Sequence, residues 1–251
     1  LRSRGRDPDE VAVGSKWGYT YTADWQVDAD VHEVKDHSLG VLQRQWPESK
    51  ERLGDHIDLY QIHSATLKTG VLEDSDVVKE LMRLRHEEGV AIGLSLSGPR
   101  QAETLEKALG VRVNGERLFD AVQATWNLLE PSAGAMLQAA SEAGLGVIVK
   151  EALANGRLTP RNDRPAFADR YDLLQAEADR LGTTVDAFCL AAVVHQPWSD
   201  VVLSGAATVS QLRSNASAID VSWDERAEDT LSSLAEEPTQ YWTTRGNLPW
   251  N

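Results

Sequence analysis

Six short apolar runs punctuate the chain, and amphipathic stretches fill the intervals between them. The runs lie at 11–16, 57–62, 90–95, 119–124, 145–150 and 201–204, each of strand length. Apolar residues at helical spacing recur over 31–42, 76–85, 101–109, 132–143, 168–181, 184–194, 208–218 and 224–234. Gly89, Gly144 and Gly182 fall just past three of these stretches, where a left-handed cap needs no Cβ, and Pro197 stops a fourth. Alternation of this kind with short connections predicts an α/β fold on a parallel sheet. Two architectures meet that description, the open doubly wound sheet and the (β/α)8 barrel. No G-x-G-x-x-G follows the first run, which weakens the dinucleotide-binding form of the open sheet. Lys16, His63, Ser95, Gln123, Lys150 and Ser204 stand at or within a residue or two of the C-terminal ends of the runs. In a barrel those ends converge on one mouth, where catalytic groups gather. The expectation is therefore a (β/α)8 TIM barrel, of which about six of the eight strands are counted in this chain; the other two units are missing or hidden in segments that read as loop.

The 251 residues suffice for one large α/β domain or two small ones. Composition is ordinary for a globular protein, 41% hydrophobic and 25% charged. The formal net charge is −14 and no Lys/Arg run stands out, which argues against nucleic acid and anionic membranes as partners. Cys189 is the single cysteine and sits in an apolar helical pattern, so it reads as a small buried hydrophobe. It cannot form an internal disulfide, and no Cys/His spacing points to a metal. No run approaches the roughly 18 apolar residues of a membrane span, and no secretory h-region is present, so a cytoplasmic location is expected. The chain opens on Leu1-Arg2-Ser3-Arg4-Gly5-Arg6 without a methionine and reaches its first strand almost at once, as the interior of a longer protein does.

Leu53–His63, LGDHIDLYQIH, is the most telling segment, because its buried strand stops on a histidine. The first strand, VAVGSK, stops the same way on Lys16, with a glycine soon after it. Residue pattern alone fits His63 equally well as a satisfied core histidine and as a functional group. Lys16 fits a buried functional lysine better than a surface one. Gln123, alone at the end of a buried strand, has no evident structural reason to be there. Trp17, Tyr19, Tyr21 and Trp25 follow the lysine closely and fit either the core or a substrate pocket.

From about Asp9 to about Asp220 the chain resembles the aldo/keto reductases. The segments that carry the resemblance are VAVGSKWG (11–18), SLGVLQRQ to LGDHIDLYQIH (38–63), EEGVAIGLSLSG (87–98), FDAVQATWNLLE (119–130), GLGVIVKEALANGRLT (144–159) and VVLSGAATVSQLRSNASAI (201–219). Each is weak alone, and six in register are strong. The resemblance implies one barrel domain over 1–251, incomplete at its N-terminus, and an enzyme that uses NADP or NAD as cofactor and reduces aldehydes or ketones to alcohols by hydride transfer from the reduced form, NADPH or NADH. The family's catalytic set is Asp, Tyr, Lys and His. Lys16 matches the lysine and His63 the histidine, while the Asp and Tyr would precede Leu1. A tyrosine hydroxyl with a reference pKa of about 10 must donate a proton near neutrality, and an ammonium beside it makes that easier. His63 would hydrogen-bond the substrate carbonyl.

The resemblance also implies the cofactor residues. Ser95 matches the serine that holds the carboxamide, with Leu96 where the family has asparagine. Gln123 matches the glutamine facing that group. Lys150, Glu151, Ala152 and Leu153 stand where many members carry a nicotinamide-stacking tyrosine and Ser-Pro-Leu, and Lys150 and Leu153 are assigned to the cofactor. Ser204, Gly205, Ala206, Thr208, Gln211 and Asn215 match the pyrophosphate and adenosine loop. The glycine lets backbone amides approach phosphate, and a helix opening near Thr208 offers its positive end. Arg213 is the only base close to that loop, which leaves NAD and NADP both open. Trp17 and Tyr19 are the substrate candidates, and the tail 236–251, with Tyr241, Trp242 and Trp250, would close the substrate site. Two other functions fit the pattern: a Schiff-base lyase or aldolase using Lys150, and a cofactor-binding barrel without catalysis.

Overall fold

The computed structural model describes residues 10–24, 26 and 28–248; Trp25 and Trp250 lie outside the described residues. Packing divides the chain into two compact units, the first running to Val122 and the second covering Gln123–Leu248. The first unit contains β1 (Gly14–Trp17), β2 (Tyr19–Tyr21), β3 (Glu33–Lys35), α1 (Leu39–Leu53), β4 (Leu59–Ala65), α2 (Ser75–Glu88), β5 (Ala91–Leu96), α3 (Gln101–Leu109), β6 (Arg112–Val113) and β7 (Glu116–Arg117). Strand β8 (Ala121–Thr125) follows. The second unit continues with α4 (Gly134–Glu142), β9 (Gly146–Lys150), α5 (Ala168–Arg180), α6 (Val185–Val194), β10 (Val201–Val202), α7 (Val209–Ala216), α8 (Glu225–Ser232) and α9 (Pro238–Gly246). Strand order is β1-β4-β5-β8-β9-β10, with β1–β4, β4–β5 and β9–β10 paired in parallel. No helix among the described residues is long and apolar enough to cross a membrane.

In the first unit the two faces of the sheet differ. Tyr60 and Ile62 of β4 are completely buried, and the Tyr60 ring meets Trp46 of α1 edge to face at 4.8 Å. Leu59, Gln61 and His63 therefore project from the opposite face. A Cβ on Gly93 of β5 would lie 3.0 Å from Gln61 Cγ and 3.0 Å from the Ala121 carbonyl oxygen. Gly93 is thus the residue that lets β4 side chains cross that face.

Helix α1 departs from the sequence expectation of a helix over 31–42. Residues 33–35 instead extend as β3 and pair antiparallel with β2. The Asp36 carboxylate accepts a hydrogen bond from Ser38 N at 2.8 Å, which turns the chain out of β3, and the helix starts at Leu39. Its buried pair is Leu42 and Trp46, one helical turn apart, so burial draws the helix on to Leu53 despite Pro47 inside it. The hairpin β6–β7 turns on Asn114 and Gly115, with φ of 51° and 86°.

The second unit packs α5, α6, α8 and α9 around Leu174, Phe188, Cys189, Ala227 and Tyr241. Within the tail, α9 docks through Tyr241, which is fully buried. Glu236, just before it, receives two hydrogen bonds from Arg157 at 2.5 and 3.0 Å and one from Arg170 at 2.7 Å.

Candidate active site

Parallel pairing sets Lys16 opposite Gln61, and Gln61 opposite Gly93, so all three share the face away from the helices. Lys16 is exposed, where the sequence suggested burial; the partial desolvation it does undergo lowers its ammonium pKa below the ordinary lysine value. His63 lies two residues beyond Gln61 on the same strand, about 6–7 Å further toward the C-terminal end. Between the pairs Ile62↔Leu94 and Ala65↔Leu96, His63 and Ser64 together stand opposite the single residue Ser95. That is a β-bulge, and Ser64 takes φ of 57° to make it. Bulges re-aim side chains, and this one sits at the histidine. Ser95 is buried and follows Gly93 by two, so Lys16, His63 and Ser95 come to one strand-end face of the first unit.

Tyr19 joins them. Its ring meets His63 edge to face at 4.6 Å, and Lys35 Nζ lies 5.2 Å from its centroid. Trp17 does not: it is 1% exposed, on the other face of β1 from Lys16, with its ring edge to face on His37 at 5.6 Å. Sequence reasoning passed over His37, Lys35 and Ser64. His37 Nε2 donates to the His63 carbonyl at 2.8 Å, and Lys35 Nζ donates to the Ser64 carbonyl at 3.0 Å. Only the polarity of the 33–37 segment hinted at them.

In the second unit Gln123 is 3% exposed, and its Oε1 is buried without a hydrogen-bond partner. An orphan buried acceptor of this kind fits an amide donor such as a carboxamide N–H. Lys150 ends β9 on the face shared by Gly146 and Ile148, while Val147 and Val149 are wholly buried on the other. Glu151, with φ of 55°, takes Arg245 as its ion-pair partner at 2.8 Å. Leu153 packs against the Tyr241 cluster. Leu203 N donates to Val149 O at 2.9 Å, so Ser204 leaves the sheet beside the end of β9.

Residues 204–215 form one loop-and-helix device. Gly205 has φ of 63°, and Asn215 Nδ2 donates to Ser204 O at 2.9 Å. The amides of Ala207 and Thr208 both donate to Gln211 Oε1, at 2.9 and 3.1 Å, while Thr208 Oγ1 caps α7 by accepting from Gln211 N. Two amides meeting on one oxygen are the arrangement a phosphate oxygen takes at a helix start; here Gln211 Oε1 occupies them. Among the described residues no group of three or more His, Cys, Asp or Glu side chains could hold a metal ion.

The model of the Aldo/keto reductase family matches residues 1–236. No curated protein matches the chain. Among solved structures, the holo form of aldo-keto reductase AKR11C1 from Bacillus halodurans is 19% identical with a TM-score of 0.71, covering 91% of this chain and 74% of that one. The apo form of the same protein is also 19% identical, with a TM-score of 0.62, covering 79% of this chain and 69% of that one. The six parallel strands and their helices are thus part of a (β/α)8-type α/β fold.

Proposed function

The chain belongs to the aldo/keto reductase family, an oxidoreductase family acting on carbonyl substrates, and from that premise we propose that it reduces an aldehyde or ketone with NADPH or NADH. The observation that carries this reading is the placing of Lys16 and His63 on one face of neighbouring parallel strands, with Tyr19 against the His63 ring. A bound nicotinamide would supply the hydride. As the carbonyl oxygen gains charge, an imidazole N–H of His63 donates to it and holds it in place. Lys16, its ammonium partly desolvated, favours transfer of a proton from a neighbouring hydroxyl to that oxygen, which completes the alcohol. Gln123 and Ser95 are assigned to the carboxamide, and the 204–215 loop to the phosphates and adenosine, with Gln211 yielding its amide partners to phosphate. Lys150 and Leu153 are assigned to the dinucleotide as well. Tyr19, rather than the buried Trp17, is the aromatic offered to substrate. The cytoplasm, where these cofactors are supplied, is the proposed location.

The test uses the full-length gene product. Titration with NADPH and then NADH should quench protein fluorescence with micromolar affinity, and turnover of a simple aldehyde should follow. His63→Ala should lower kcat/KM by about 100-fold, the scale of one lost transition-state donor. Absence of cofactor binding and turnover in the intact protein would sink the reading.

A further inference from the structure

His37 stands between β3 and α1 and is buried, 8% exposed. It lies against the backbone of Gly18, where a Cβ would come within 2.3 Å of His37 Cδ2. Gly18, at φ of 107°, leaves room for the ring. Its Nε2 hydrogen must point at the His63 carbonyl, because a carbonyl can only accept, and its buried Nδ1 has no partner. The His37 proton therefore resides on Nε2, and burial favours this neutral ring. The bond is made at the bulge, beside Ser64, whose own carbonyl is held by Lys35. A bulge interrupts the regular ladder, so carbonyls there need partners from elsewhere.

We infer that His37 is a positioning residue for His63: by donating to the His63 carbonyl it fixes the bulged backbone and so the aim of the His63 imidazole. The inference rests on the carbonyl-orienting role proposed above for His63. It predicts that the donor matters and that the rest of the ring does not. His37→Met removes the donor at similar reach, and His37→Gln restores an N–H near the Nε2 position. With NADPH and a simple aldehyde, His37→Met should lower kcat about tenfold at nearly constant KM, the scale of one neutral hydrogen bond. His37→Gln should recover to within about threefold of the unmodified protein. In a His63→Ala background, His37→Met should cost nothing further, since His37 acts only through His63. Long-range ¹H–¹⁵N spectra should show the His63 ring signals displaced in His37→Met and returned in His37→Gln. A full additional loss in the His63→Ala background, a His37→Gln as poor as His37→Met, or unmoved His63 signals would each overturn the inference. An unmodified protein without turnover would instead refute the proposed function, and the ring signals would still decide the placement of His37.

Discussion

Lys16 and His63 lie near the C-terminal ends of neighbouring strands, yet different surroundings set their chemistry. Lys16 projects from the sheet face that α1 does not cover, and partial desolvation pulls its pKa below 10.5. Folding therefore disfavours the charged form. The cost is present at pH below the folded value and fades as pH rises toward the 10.5 of an unfolded lysine. Reductively ¹³C-methylated protein should show the Lys16 signal titrating below the ordinary lysine range, and Lys16→Met should identify the signal. A Lys16 signal that titrates with the bulk lysines would contradict the desolvation. His63 depends on backbone instead: a bulge, a left-handed Ser64 and two carbonyls held by His37 and Lys35. That Lys16 and His63 lie near strand ends was legible in the apolar runs; that β4 does not stop on His63 but bulges and runs on to Ala65 was not. The partners were not, because a donor reaching a carbonyl from another segment leaves no periodic trace.

At the level of elements, most helices and strands fall within a few residues of their sequence expectation, because each buries one apolar stripe. Expected and observed bounds coincide at 101–109 for α3 and differ by one residue at 184–194 for α6. The departures occur where polar contacts set the boundary. Asp36 ends β3, and Asn114-Gly115 turns β6 into β7, a dipeptide that signals this hairpin in any sequence. Asp224 is a similar anchor at the start of α8. Its carboxylate accepts from Arg180 of α5 at 2.8 and 2.9 Å and from Ala227 N at 2.9 Å. Those contacts, the arginine first, lower its pKa from 3.8 to about 2. A depressed carboxylate stabilises the fold above its unfolded value and loses that effect as pH falls through the folded one. Asp224→Asn should therefore be less stable than the unmodified protein above about pH 4, with the difference closing as pH falls toward about 2. Urea melts across that range check it; a difference that does not narrow on acidification would contradict the pairing.

For the molecule as a whole, the C-terminal helix is part of the core of the second unit. Tyr241 is fully buried, receives a hydrogen bond from Asn127 Nδ2 at 3.0 Å and lies 5.6 Å from the Arg157 guanidinium. Cys189, the only cysteine, is buried in the same cluster. Tyr241→Ala should cost about 3–5 kcal/mol, as removal of a large buried aromatic does, and native-state thiol labelling should report it through Cys189. Labelling should accelerate by at least about 100-fold in the variant; an unchanged rate would show that α9 does not guard this core. The sequence by itself determined the alternation of strand and helix, the parallel sheet, the resemblance to the family and the placing of Lys16, His63 and Gln123 within a residue or two of strand ends. The alternation and the sheet follow from local periodicity, since a strand repeats every two residues and a helix every 3.6, whereas the family rests on the match over residues 1–236. Only the tertiary structure decided that Trp17 is buried while Tyr19 meets His63, that Lys16 is exposed, and that His37 holds the bulge. Each of these depends on which face a distant segment covers, and chain path, unlike periodicity, is not written in neighbouring residues.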